Sequence, residues 1–177
     1  MSKYIHPITM EAAVHVASNL RDDDYREVFE GHGQYPLLHI PISAFNGETV
    51  YFTDADGRIA GVAGIQEGGQ IWMLCTNVIH DVPILFARQA KKWIDSREDK
   101  ILWNIVDKRN TAHLKLLKFL GFKFLRELEH GPNNITFIEF CKLCVEQQQS
   151  EQSQALVKPS LATKLKSQVL KPKTKHD

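Results

Sequence analysis

The run Ile71–Val78 constrains the fold more than any other segment, because it is almost continuously apolar. A strand of this kind is buried on both faces and lies near the middle of a sheet. The pair Gly68-Gly69 precedes it as a turn, and an amphipathic helix follows over 82–96, with apolar residues at i, i+3 and i+4 spacing. A central strand followed by such a helix predicts a layered α/β domain. We expect Asp81 to be the N-cap of this helix.

Apolar alternation and turn residues predict further elements on both sides of the central strand. Two strands, at 49–53 and 58–65, precede it and form an antiparallel meander with it. The other predicted elements are a strand at 4–8, helices at 9–19 and from 22 onward, a strand at 101–106, a helix at 111–120, and strands at 122–128 and 135–141. The order is β-α-α-β-β-β-α-β-α-β-β, which predicts an α/β (α+β) fold with a mixed, mainly antiparallel sheet flanked by helices. The acidic run Asp22–Asp24 is expected to be a solvated helix start.

The composition changes after residue 144, so 1–144 is predicted to be one domain and 145–177 a separate tail. The tail is rich in Gln and Lys and carries too little apolar surface to fold alone. Its apolar residues, spaced for one helical face, are Leu156, Val157, Leu161, Leu165, Val169 and Leu170. We expect the tail to be disordered or docked on a partner.

Charge and composition argue against several classes of protein. The formal net charge of +1 indicates neither a specific nucleic-acid partner nor an acidic membrane. No apolar run reaches the ~20 residues that span a bilayer, and no signal peptide is visible. The 3 cysteines make no disulfide framework, which indicates a reducing, cytoplasmic compartment. The 8 histidines show no metal-ligand spacing, so no metal site is expected.

The segment 110–122 reads Asn-Thr-Ala-His-Leu-Lys-Leu-Leu-Lys-Phe-Leu-Gly-Phe. It resembles the motif of the GNAT N-acetyltransferase superfamily, in which an Asn leads a helix that ends in Leu-Gly-Phe. The element order predicted above is also the order of that superfamily. The resemblance implies that Asn110 caps the helix and lies beside the pantetheine arm of acetyl-CoA. It also implies that the backbone around Cys75, Thr76 and Asn77 binds the cofactor, with N–H groups that stabilise an oxyanion.

A narrower resemblance covers about residues 60–140. Trp72, the strand 102–106, and the segments 110–113 and 119–121 are similar to the small internal virion proteins of short-tailed bacteriophages. This resemblance implies a virion-associated or accessory protein, found in the virion and the host cytoplasm. Its partners would be other phage virion proteins bound through the tail, or further copies in a homo-oligomer.

Two departures from the GNAT pattern concern chemistry. Active members bind the pyrophosphate of coenzyme A in a glycine-rich loop, but here no glycine occurs between Gly69 and Gly121, and Pro83 removes an N–H donor. Leu117 stands where many members have a tyrosine that protonates the departing thiolate. The catalytic residues therefore stay unknown, and we expect no cofactor or weakly bound acetyl-CoA.

These departures favour a degenerate GNAT fold that serves as a structural or interaction domain. The alternative is an active acetyl-CoA-dependent N-acetyltransferase that modifies a host or phage amine. The fold by itself does not decide between them, because function resides in the site.

Overall fold

Strands and helices follow one another as the apolar pattern predicts, with one helix added. The computed structural model describes residues 3–144. The strands are β1 (Ile5–Pro7), β2 (Glu48–Thr53), β3 (Ile59–Gln66), β4 (Gln70–Cys75), β5 (Ile101–Asp107), β6 (Lys123–His130) and β7 (Ile135–Leu143). The α-helices are α1 (Met10–Ser18), α2 (Asp22–Arg26), α3 (Pro36–Ala44), α4 (Pro83–Asp95) and α5 (Thr111–Phe119).

The seven strands form one mixed sheet in the order β1-β2-β3-β4-β5-β7-β6. All neighbouring strands are antiparallel except β4 and β5, which are parallel. The predicted meander of β2, β3 and β4 is confirmed, and β4 lies in the middle of the sheet. The fold is thus the predicted GNAT-like α/β arrangement.

Helices cover both faces of this sheet. On one face, Val16 of α1 and Ile40 of α3 pack on Val62. On the other face, Ile94 of α4 and Leu117 of α5 belong to a second apolar cluster. Each face of the sheet therefore has its own core, as expected for a central strand that is apolar on both sides.

Glycine is required where the β3–β4 turn approaches β5. Gly69 has a φ of 81°, in the left-handed region, and a Cβ built there would overlap the carbonyl oxygen of Ile101. Neither the backbone angle nor the available space admits a side chain. The turn therefore brings the start of β4 against the start of β5.

Helix α3 was not predicted from the sequence. Its segment contains Pro36 and Pro41, and proline inside a helix removes a backbone hydrogen bond. Pro36 occupies the first turn, where its missing N–H costs nothing. Ile40 and Ala44 are buried against the rest of the domain, so tertiary packing overrides the local signal from Pro41.

The prediction that Asp81 caps the long helix is wrong. Strand β4 ends at Cys75, a 3-10 turn follows over Asn77–Asp81, and α4 begins at Pro83 with Val82 at the N-cap. The Asp81 carboxylate instead accepts a hydrogen bond from Arg58 Nη2 at 2.9 Å. Because proline favours the first helical position, the N-cap is Val82, one residue after the predicted Asp81.

Within residues 3–144, no helix has the length and apolar character that crossing a bilayer requires. The tail, 145–177, lies outside the described residues. The domain boundary at 144 and the docking of the tail therefore stay predictions.

Candidate functional site

The parallel strands β4 and β5 separate along most of their length. They share one backbone pairing, Gln70 with Trp103, whereas β5 pairs with β7 along its whole length. Just beyond that pairing, Asn104 Nδ2 donates to the carbonyl oxygen of Ile71 at 2.7 Å. The two strands form a wedge that opens toward their carboxyl ends.

A cavity of about 300 Å³ lies in this wedge. On the sheet face covered by α1 and α3, its wall includes Ile40, Trp72 and Leu74. On the face covered by α4 and α5, its wall includes Phe86 and Leu117. A cavity of this size holds a small ligand, and its wall joins both faces of the sheet through the wedge.

Glu27 is the carboxyl group in the wall of this cavity. It lies in a π-helical turn, Glu27–Gly31, that follows α2, and it is 7% exposed. Burial and the nearby charges of Asp24 and Asp107 raise the pKa of Glu27 to about 8, although a hydrogen bond from Asn110 acts in the opposite direction. A carboxyl with this pKa is mostly protonated at pH 7 and serves as a base in mildly alkaline solution.

Asp24 is 2% exposed and joins the two open ends of the wedge. It accepts hydrogen bonds from the backbone N–H of Cys75, at the end of β4, at 2.7 Å, and from Asn110 Nδ2, just after β5, at 3.0 Å. Arg21 donates to it from Nε at 2.9 Å and from Nη2 at 2.7 Å. A buried carboxylate needs this many partners to offset its desolvation. The expectation of a solvated helix start is therefore wrong for Asp24, although Asp22 is exposed.

Asn110 is the N-cap of α5, as predicted. Its Oδ1 accepts a hydrogen bond from the backbone N–H of His113 at 3.3 Å, and another from Arg21 Nη2 at 2.8 Å. Its Nδ2 also donates to Glu27 Oε2 at 3.1 Å. The side chain is 1% exposed and belongs to an internal polar cluster. Its role in binding a cofactor stays a prediction.

The residues predicted to bind the cofactor, at the end of β4 and just after it, already use much of their hydrogen-bonding capacity. The N–H of Cys75 donates to Asp24, and the N–H of Thr76 donates to the carbonyl oxygen of Ala60 at 3.0 Å. Asn77 is exposed at the start of the 3-10 turn. Burial raises the pKa of the Cys75 thiol well above its usual range, so this cysteine is not an activated nucleophile. Cofactor binding by these three residues stays a prediction.

Sequence reasoning missed Arg21 and Glu27 as site residues. A signal was present, since Arg21, Asp24 and Glu27 recur every third residue on one helical face. Charged residues at that spacing are usually exposed pairs, and only their burial against Asn110 distinguishes this group.

Two histidines connect the π-helical turn with the β6–β7 hairpin. His32 Nδ1 and His130 Nε2 are 2.9 Å apart, and both rings pack on Phe137. Burial, followed by the charge of His130, lowers the pKa of His32 to about 4. Burial also lowers the pKa of His113, in the cavity wall, to about 4. Both His32 and His113 are therefore neutral at pH 7.

The wedge and α4 fit the acyl end of acyl-coenzyme A better than its pyrophosphate. The cavity offers room for an acyl group and part of a pantetheine arm. At the start of α4, however, Pro83 lacks an N–H, and the N–H of the N-cap residue Val82 already donates to the carbonyl oxygen of Ile79. Few backbone donors remain for a pyrophosphate, and no glycine-rich loop adds others. Among the described residues, no group of three His, Cys, Asp or Glu side chains is arranged to hold a metal ion.

Comparison with solved structures identifies the fold. No protein-family model and no curated protein matches the sequence. An acetyltransferase of the GNAT family from Bacillus anthracis is 11% identical, with a TM-score of 0.60 over 78% of this chain and 93% of that chain. The aminoglycoside acetyltransferase AAC(6')-Ib, solved with coenzyme A, is 12% identical, with a TM-score of 0.56 over 85% and 98%. A variant of the spermidine N-acetyltransferase SpeG from Vibrio cholerae is 10% identical, with a TM-score of 0.57 over 83% and 98%. At these identities the similarity is one of fold.

Proposed function

We propose that the domain is an N-acyltransferase that moves an acetyl group from acetyl-CoA to an amine. The observation that carries the proposal is the cavity in the wedge between β4 and β5, with Glu27 in its wall. A gap that joins both faces of a sheet lets a donor and an acceptor approach from opposite sides and meet inside it. The GNAT-like fold and its N-acetyltransferase neighbours support the same class of reaction.

Acetyl-CoA supplies an activated acyl thioester with a weakly basic leaving group. Phe86, Leu117 and the edge of β4 beyond its pairing with β5 would hold its acyl and pantetheine portion in the cavity. The phosphates find no glycine-rich loop, so we expect a dissociation constant above ~100 µM, which is about 2.7 kcal/mol weaker than one near 1 µM.

Glu27 is the candidate general base. An amine reaches the site as an ammonium ion, and it becomes a nucleophile only after it loses a proton. Glu27 lies in the cavity wall, and Asn110 and the surrounding burial hold its carboxyl in place. Its raised pKa makes it a stronger base than an exposed glutamate. Leu117 is 3% exposed and offers no proton, so this domain relies on deprotonating the acceptor.

An interaction domain of a bacteriophage virion remains the second candidate function. One observation favours it: Asp24 occupies the N–H of Cys75 and the amide of Asn110, two groups expected to face a cofactor. In that case the fold serves as an interaction domain in the virion, with the tail as the docking segment. The predicted locations, virion and host cytoplasm, depend on this reading.

Two measurements on the purified full chain separate the candidates. Calorimetric titration with acetyl-CoA, followed by a transfer assay with a panel of primary amines at pH 8.5, tests the proposal directly. Acetylated amine formed in proportion to enzyme supports the acyltransferase. Absence of transfer at millimolar acetyl-CoA would contradict it and favour the interaction domain.

A further inference from the structure

The cavity between β4 and β5 is nearly free of formal charge. Among residues 3–144, Glu27 is the only Asp, Glu, Lys or Arg in its wall, and the other polar groups there belong to amide, hydroxyl, histidine and tryptophan side chains. His32 and His113 are neutral at pH 7 because burial lowers the pKa of each to about 4. Of the described residues, a ligand inside this cavity meets no Lys or Arg side chain and a single carboxyl group, which ionises as the pH passes through about 8.

The part of the wall on the α3 side combines apolar side chains with uncharged polar ones, among them Gln34 and Ser43. Trp72 and Leu74 project from β4 toward Ile40 and Val16. Val28, in the same turn as Glu27, adds a buried aliphatic side chain. A flat or branched apolar group in this space removes apolar surface from water on both sides of the contact.

We propose that the acceptor is a primary amine with one ammonium group on an aromatic or aliphatic body. The proposal rests on the proposed function and names its substrate class. Glu27 pairs with the ammonium group, while Trp72 and Leu74 pack against the body of the ligand. Glu27 accepts one proton from the ammonium group, the free amine nitrogen forms a bond to the acyl carbon, and the carbon–sulfur bond breaks. Coenzyme A leaves as the thiolate, which takes up the second proton that the nitrogen loses.

Polyamines and aminoglycosides fit this wall poorly. Their second ammonium group lies a short chain away from the first and would find no carboxylate in the cavity. An unpaired charge in such surroundings is strongly unfavourable. The exposed Asp22 and the half-buried Asp23 do not supply a partner, because they line a separate shallow pocket and Asp23 is already paired with Arg26. We expect discrimination of at least about 100-fold.

A binding experiment without acetyl-CoA tests the ligand class apart from catalysis. Phenethylamine and spermidine are titrated into the full chain at pH 8.5, and binding is followed by calorimetry. Phenethylamine should bind at least about 100-fold more tightly than spermidine. Glu27→Gln should remove this binding, whereas Glu30→Gln, in the same turn but outside the cavity wall and paired with Arg109, should leave it unchanged. Equal or tighter binding of spermidine overturns the proposal.

A gain of specificity gives a second, independent test. Gln34 is exposed and lines the cavity, so Gln34→Glu adds a carboxylate with little change in shape. The phenethylamine-over-spermidine ratio should fall by at least about 10-fold. An unchanged ratio means that the charge of the wall does not select the ligand, and the proposal fails.

Turnover with acetyl-CoA distinguishes this inference from the proposed function. Transfer to spermidine in preference to phenethylamine overturns the inference while the acyltransferase stands. Tight binding of phenethylamine without any transfer overturns the acyltransferase and supports the ligand class.

Discussion

Asn110 Nδ2 donates a hydrogen bond to Glu27 Oε2 at 3.1 Å, across 83 residues of sequence. The same side chain caps α5 through the N–H of His113 and accepts from Arg21. Asn110, the N-cap of α5, therefore also positions the candidate base, Glu27. The amide group of Asn110 thus contributes both to the stability of the fold and to the position of Glu27.

The first prediction concerns Glu27 as a base. For wild type, kcat/KM for amine acetylation should rise as pH passes through about 8, where the Glu27 carboxyl ionises. Glu27→Gln should lower kcat/KM by about 100-fold or more, because general bases contribute at least that factor. Rates measured from pH 6.5 to 9.5 test this, with Glu30→Gln as the control. A Glu27→Gln enzyme with the wild-type rate would exclude Glu27 as the base.

The second prediction concerns the cost of losing Asn110. An isolated N-cap is worth about 1 kcal/mol. Asn110→Ala also leaves the buried groups of Arg21, Asp24 and Glu27 short of partners, so we expect a loss of about 3 kcal/mol. Urea unfolding measures it. The control is Asn19→Ala, an exposed residue bonded only to its own helix, with a change within about 0.5 kcal/mol. A loss near 1 kcal/mol would show that Asn110 is a helix cap and little else.

The third prediction is a maximum of stability near pH 6.5. The pKa of His32 and of His113 falls from 6.5 to about 4 on folding, so the unfolded chain takes up protons first and stability falls as pH drops below 6.5. The pKa of Glu27 rises from 4.5 to about 8, so the folded protein retains a proton that the unfolded chain releases. Stability therefore also falls as pH rises from 6.5 to 8, by up to roughly 1.4 kcal/mol per pH unit.

Urea unfolding between pH 5 and 8.5 checks this maximum. Between pH 4.5 and 6.5 the stability still rises with pH. The two histidines each make it rise, whereas Glu27 alone makes it fall. Glu27→Gln should flatten the alkaline limb, and His32→Asn should reduce the slope of the acid limb. Stability that climbs steadily from pH 6.5 to 8 is incompatible with a buried, protonated Glu27.

The fourth prediction concerns the contact between the β6–β7 hairpin and the turn that carries Glu27. Gly131 has a φ of 71°, and a Cβ built there would overlap the carbonyl oxygen of Gly31. Gly131→Ala should cost about 3 kcal/mol or more and lower transfer activity, since the π-helical turn must move. Gly57→Ala is the matched control, with a φ of 82° but no atom within 4 Å of the added Cβ. It should cost only about 1 kcal/mol. Equal losses in the two variants would show that the hairpin does not hold the turn.

The fifth prediction concerns residues 145–177. We expect their deletion to leave the free energy of unfolding of the domain nearly unchanged, because the tail carries little apolar surface. If the tail docks on virion proteins, a pull-down should lose those partners on deletion. A contact made by its lysines should weaken at high ionic strength, whereas one made by Leu161, Leu165 and Val169 should persist. Undiminished assembly of the truncated domain would exclude a docking role.

Local patterns determined the order of the elements. The apolar run that became β4, the turn residues around the meander and the Asn and Gly at the two ends of α5 each act over a few residues. Their effects are readable from the chain because periodicity, caps and left-handed glycines depend on near neighbours. Helix α3 could not be predicted in this way, because Pro41 weakens the local helical pattern and the helix is stabilised by packing against α1.

Only the tertiary structure decided where the chemistry lies. Beyond the pairing of Gln70 with Trp103, β4 and β5 separate, and Asp24, from a segment distant in the chain, accepts hydrogen bonds at their open ends. Glu27 looks like a surface residue in sequence, and it becomes a candidate base because β5 and Asn110 bury it beside Asp24 and Asp107. A pKa depends on solvent and on charges distant in the chain, so it is a property of the folded environment. The elements could thus be derived from the sequence, whereas the site exists only once they are assembled.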